Sequence, residues 1–168
     1  MNILHTPHHE VFALFTGVMS YLEIGVQEGQ SLAAVIRANP GLQRVTLCDD
    51  WGSSHGGTGR GDNGHIEILL RHLGFVGKVT YLTGRSQELV PSLNDAFDLV
   101  HVDGDHSTEG ARSDLENILR VSTHWIVVHD IFFPEVWAAV GPWLQQHRAE
   151  FKEASISAFD HGTLVVDW

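Results

Sequence analysis

YLEIGVQEGQSL, residues 21–32, decides the fold. Tyr21, Leu22 and Ile24 make a short apolar run that stops at Gly25. Four residues later Gly29 opens the helix-forming stretch that begins at Gln30. A strand that breaks at a glycine turn and passes directly into a helix presents free backbone N–H groups to a ligand, which is the geometry of a nucleotide cradle. The spacing Gly25-x-x-x-Gly29, with Gln27 between, differs from the G-x-G-x-x-G dinucleotide fingerprint. Glu23 sharpens the distinction, because a carboxylate beside the turn repels a diphosphate and attracts an ammonium or sulfonium group.

Working outward, short apolar runs alternate with amphipathic ones. Strand-like segments at 20–25, 44–49, 78–83, 97–103 and 124–130 are each followed by a helical one, at 30–39, 65–74, 86–93, 107–121 and 134–151. The strand runs are continuously apolar or β-branched, which predicts a parallel sheet covered on both faces. At the end, 152–159 and 163–168 flank a turn containing Gly162 and predict an antiparallel pair at one edge. The expected fold is α/β: a doubly wound, mostly parallel, Rossmann-like sheet of about seven strands, with its crevice at the carboxyl ends of the first and fourth predicted strands. With 168 residues, 43% of them hydrophobic, the chain suits one domain.

Charge narrows the ligand. A net charge of -11 with only 10 Lys and Arg leaves no basic face for nucleic acid, so a neutral or cationic small molecule is expected. The lone Cys48 has no partner for an internal disulfide. No apolar run approaches the ~20 residues a membrane span needs, and no leader-like pattern opens the chain, so the expected location is cytoplasmic.

The acids and histidines fall at predicted strand ends. Asp49, 24 residues after Gly25, stands where a carboxylate commonly accepts from both hydroxyls of a ribose, and Asp50 follows it. DLVHVDGDHS, residues 98–107, delivers Asp103, Asp105 and His106; WIVVHD, residues 125–130, delivers His129 and Asp130. Neighbouring strands lie ~4.8 Å apart, so Asp103 and Asp130 are expected to converge. Paired carboxylates suit a divalent cation such as Mg²⁺, Ca²⁺ or Mn²⁺. His106 is a candidate general base, since a neutral imidazole accepts a proton near pH 7; capping the next helix is its alternative role.

LEIGVQEGQSL, VHVDGDHSTEGARSDLENIL and WIVVHD together resemble the class I S-adenosylmethionine-dependent methyltransferases, in particular small bacterial domains whose fourth strand ends in D-G-D-H-[ST]. The resemblance runs from about residue 20 to 130. It implies that Glu23, Gly25 and Gly29 hold the methionine part of S-adenosylmethionine, that Asp49 holds the ribose, and that the turn Gly84 to Ser86 borders the adenine; Ser31 and Asp50 are further cofactor-binding candidates, with solvation of the loop as the alternative for Asp50. It further implies that Asp103 faces the methionine amino group or the transferring methyl. Several such relatives hold a divalent ion at the positions of Asp103, His129 and Asp130, and His129 replaces an acid often found there, which biases the site toward a transition metal.

The activity implied is methyl transfer to an oxygen or nitrogen of a small molecule, with Asp103 and His106 catalytic. Two other readings stay open: a metal-dependent hydrolase built on the Asp and His cluster, and a non-catalytic cofactor-binding module. With no inserted cap in the sequence, the acceptor site is expected to be open, or closed by the glycine-rich loop at 51–64, carrying His55 and Arg60, or by another subunit, and on that argument a homodimer is expected. His8 and His9 are expected to face solvent, His101 to be a satisfied buried histidine, and Trp137 and Trp143 to pack on the sheet or on a partner.

Overall fold

A computed structural model describes residues 2–52 and 60–168. Eight strands form one sheet: β1 (Asn2–Leu4), β2 (Ser20–Ile24), β3 (Arg44–Asp49), β4 (Lys78–Thr83), β5 (Phe97–Val102), β6 (Ser122–Val128), β7 (Glu153–Ser157) and β8 (Thr163–Asp167). Their order across the sheet is β1-β7-β8-β6-β5-β2-β3-β4. All pairings are parallel except those of β8, which runs antiparallel between β6 and β7. The helices are α1 (His8–Val11), α2 (Gln30–Ala38), α3 (Gly64–His72), α4 (Ser86–Leu89), α5 (Thr108–Ile118) and α6 (Pro134–Gln146). Among the described residues no helix is long and apolar enough to cross a membrane.

Strand periodicity sorts the side chains between two cores. Leu22, Ile24, Val100, Val102, Ile126 and Val128 pack beneath α5 and α6. Tyr21, Leu99 and Val127 face the other way, onto Val11, Phe12, Leu32 and Val35 of the α1 and α2 side. The same alternation sends Glu23 and His101, paired in register across β2 and β5, toward α1. Ile24 is aligned with Cys48 and Val102, and Val102 with Val128. The residues that follow these strand ends, Asp49, Gly25, Asp103 and His129, therefore stand in one row along the carboxyl edge of the sheet. That row is the topological switch point, where β3 lies on one side of β2 and β5 on the other.

Three expectations need correction. There are eight strands and not about seven, because Asn2–Leu4 pairs parallel with β7 and covers the edge that the C-terminal hairpin was expected to form. Three residues are too few to show a period of two. The last long helix stops at Gln146 instead of 151, where His147 leaves helical geometry and its Nδ1 meets Glu150 Oε1 at 2.8 Å. His8 does not face solvent: it is 1% exposed, because α1 lies directly on the polar end of the sheet. His9 is exposed as expected. Pro134 occupies the first turn of α6, and Trp143 is buried on the sheet while Trp137 is half-exposed.

Candidate active site

The glycine turn is shaped by what crosses it. Gly25 has φ +80°, and a Cβ there would stand 2.0 Å from the carbonyl oxygen of Asp103, so no other residue fits without moving the end of β5. Asp49 holds the turn from the other side. Its Oδ2 accepts from the backbone N–H groups of Val26 (2.7 Å) and Gln27 (3.2 Å), and its Oδ1 from that of Trp51 (2.7 Å). Three of about four lone-pair sites are thus taken, leaving room for one ligand hydroxyl instead of the two expected of a ribose-binding acid. Asp50 stands beside it and accepts from Gly52 N–H at 2.8 Å.

A cavity of about 710 Å³ opens over this row. One half is bounded by Gly25, Asp49, Asp50, Gly84 and Ser86; the other by Asp103, His106, His129 and Asp130. The fold thereby brings together most of the residues singled out in the sequence. It leaves three outside. Glu23 is 1% exposed and points into the α1 side, so its carboxylate does not line the cavity. Gly29, with φ +74°, gives close packing to Leu69 and Ile66 of α3 and not to a ligand. Ser31 is buried with its hydroxyl 3.4 Å from His8 Nε2. Arg60 also lies away from the cavity, paired with Glu28 at 2.9 Å, while His55 falls outside the described residues.

The second half is dense in charge. His106 Nε2 lies 3.5 Å from Asp103 Oδ1 and 3.3 Å from Asp130 Oδ2; His129 Nδ1 lies 3.3 Å from Asp103 Oδ1 and 3.5 Å from Asp130 Oδ1. Burial alone would raise the Asp103 carboxyl, but the adjoining imidazoles of His106 and His129 outweigh it and hold the group below the usual carboxylate range. His106 is raised by its contact with Asp103 against a smaller effect of burial. For His129 burial works downward, yet Asp103 and Asp130 prevail and raise it. Asp130 is raised by burial and has φ +56°, a costly conformation for a residue with a side chain. Ser107, not His106, caps α5, its Oγ accepting from Gly110 N–H at 3.0 Å, so the imidazole of His106 is left to the cluster.

Some participants escaped the sequence reading. His161, from the turn between β7 and β8, lines the cavity beside Asp130. Asp160 lends its carbonyl to His129 Nε2 at 2.7 Å and its carboxylate to His8 N–H at 3.1 Å. Only the insertion of β8 next to β6 brings that turn over the crevice, and nothing local in DHG announces it. His8 stacks on His129 with ring centroids 3.6 Å apart, and burial, followed by the nearby His101 and His129, pushes its pKa down to about 2.

A doubly wound sheet whose switch-point crevice joins a glycine turn to an acid and imidazole cluster defines an α/β architecture with its ligand crevice at the carboxyl ends of the strands. The methyltransferase-domain family matches residues 22–131, and the chain belongs to it. Solved structures agree in fold. A methyltransferase from Geobacter sulfurreducens is 15% identical with a TM-score of 0.70, the alignment covering 95% of this chain and 74% of that one. The O-methyltransferase NovP is 15% identical with a TM-score of 0.66, over 88% and 71%. The SAH-bound methyltransferase PaMTH1 from Podospora anserina is 16% identical with a TM-score of 0.59, over 90% and 72%. No curated protein matches the chain.

Proposed function

We propose that this protein transfers the methyl group of S-adenosylmethionine to an oxygen or nitrogen of a small acceptor. The observation that carries the reading is the single cavity that runs from the Gly25 turn to the cluster of Asp103, His106 and Asp130. A nucleoside seated over Gly25, Asp49 and Gly84 directs its sulfonium end toward that cluster, and the SAH-bound relative of the same fold supports the choice of donor. The chain's own contribution is to align the acceptor for in-line displacement and to take its proton. His106 is the base in this reading. Because Asp103 raises its pKa, it is unprotonated only above its ordinary range, and transfer is expected to increase as pH rises through that value.

A divalent cation fits the residues present at Asp103, His129 and Asp130, which each offer a ligand atom within 4.8 Å of the others. His129 Nε2 donates its proton to Asp160 O, so a cation at Nδ1 would replace the proton that Asp103 and Asp130 otherwise favour there. Three acceptors that converge call for a positive charge between them, and a backbone carbonyl behind the imidazole is the usual support of a metal-bound histidine. When bound, such a cation supplies charge that lowers the pKa of an acceptor hydroxyl. Hydrolysis at the cluster would leave the glycine-turn half of the cavity without a purpose, which favours transfer over that alternative. The same reading carries a homodimer, checked by light scattering.

Calorimetric titration with S-adenosylhomocysteine, with and without Mg²⁺ or Mn²⁺, tests the proposal. Binding in the micromolar range is expected, weakened at least tenfold by Asp49→Ala. Failure to bind at millimolar ligand would remove it.

A further inference from the structure

Below the crevice lies a second group of titratable side chains that methyl transfer does not use. His101 is fully buried, and its Nδ1 is 3.1 Å from Oε1 of the equally buried Glu23. A carboxylate that accepts from Nδ1–H leaves Nε2 as a bare lone pair, and Nε2 has no hydrogen-bond partner among the described residues. Leaving such an atom unpaired in the protein interior is costly. Above it sits His8, with ring centroids 5.2 Å apart. His8 Nδ1 is held by Thr163 Oγ1 at 2.9 Å, whereas Nε2 has only the long 3.4 Å contact to Ser31 Oγ. Asp103 closes the group from the crevice side. One ligand atom from each of His8, His101 and Asp103 lies within 4.8 Å of the others. Ligands held at ~2.1 Å from one ion stand about 3 to 4 Å apart, so modest tightening would bring all three onto one ion and leave a fourth position open.

We propose that His8, His101 and Asp103 form a second, interior metal site for a divalent transition ion of the Zn²⁺ or Co²⁺ type, oriented by Glu23 and sharing Asp103 with the crevice. Two imidazoles and one carboxylate select such ions over Mg²⁺ or Ca²⁺, which prefer all-oxygen spheres. The Glu23–His101 pair is the carboxylate and histidine arrangement that fixes the tautomer and raises the basicity of a metal-bound imidazole. A structural consequence follows. The ion would tie α1 to β5 and so close the N-terminal segment over the sheet, giving Glu23 a role other than contact with the sulfonium ligand. The site shares Asp103 with the crevice but does not require methyl transfer, and its test reads metal and not turnover.

The full chain, stripped with a chelator and dialysed against Co²⁺, is expected to retain two ions per chain by plasma emission spectrometry. Asp130→Asn, which weakens the crevice site, should keep one. His101→Gln and, separately, His8→Gln should each lose one ion relative to the unaltered chain, with cooperative urea unfolding as the check that they are folded. A crystal of the unaltered protein soaked in Co²⁺ and measured at the cobalt edge decides the matter even if both variants unfold. An anomalous peak about 2.1 Å from His101 Nε2 is expected. Density for water only at that position, or equal cobalt content in all four proteins, overturns the proposal. A peak at His101 without one at His129 would uphold it while removing the crevice cation.

Discussion

The two halves of the crevice are built by different means. Around Gly25 the shape comes from backbone: a positive-φ glycine jammed against the Asp103 carbonyl, and a carboxylate that takes three N–H groups. Around Asp103 it comes mainly from side chains that follow β5 and β6, with α1 and the β7–β8 turn packed on them, and these meet only in the folded sheet. The first half is rigid and hardly tolerates substitution. The second depends on charge, and so on pH.

The largest effect should come from the backbone half. Gly25→Ala places a methyl group 2.0 Å from a backbone oxygen at φ +80°, and neither neighbour is a flexible side-chain end. A loss of about 4 kcal/mol or more is expected in urea denaturation, overpacking and backbone strain together. A loss below about 1 kcal/mol would show that this half gives way more readily than its geometry indicates.

Asp114 of α5 sits beneath both halves, fully buried, with Oδ2 3.3 Å from where a Cβ on Gly104 would stand. Burial pushes its pKa up to about 7, with Ser86 as a partial counterweight. The folded-state pKa lies above the ordinary carboxyl value, so the stability it contributes is fully present below about pH 4 and is lost as pH rises through 7. From pH 5 to 8 the unaltered chain should lose on the order of 3 kcal/mol that Asp114→Asn retains, measured as the difference between their urea midpoints. Parallel pH profiles for the two proteins would contradict it.

Asp49→Ala removes the acceptor for three backbone donors. About 2 kcal/mol of stability should go with it, together with nucleoside affinity, read by denaturation and calorimetry. If affinity fell while stability held, Asp49 would be a ligand contact more than a clamp.

His106→Gln should have the smallest effect on stability, below about 1 kcal/mol, because the imidazole is partly open to solvent. Its sign is distinctive. Asp103 raises the His106 pKa, so its contribution is present below the ordinary value of 6.5 and fades as pH rises through the raised one. The deficit of the variant should therefore shrink from pH 6 to 8, while its transferase rate stays low at every pH.

Much of this architecture was legible in the chain. Strand-to-helix alternation, the glycine turn and the placing of Asp49, Asp103, His106, His129 and Asp130 at strand ends depend on local period and spacing, which the residues carry themselves. So did the strand neighbours, because handedness leaves few ways to wind such a sheet. Glu23 was misplaced since its position in the turn motif suggested a ligand, while alternation along β2 sends it to the opposite face, where His101 waits on β5. His8, Asp160 and His161 were unreadable because their proximity to His129 is set by α1 and by β8 returning antiparallel beside β6. Short-range pattern determined which residues end the strands. Only long-range packing decided which of those side chains share a cavity, which share a buried pocket behind it, and therefore where charge must be neutralised.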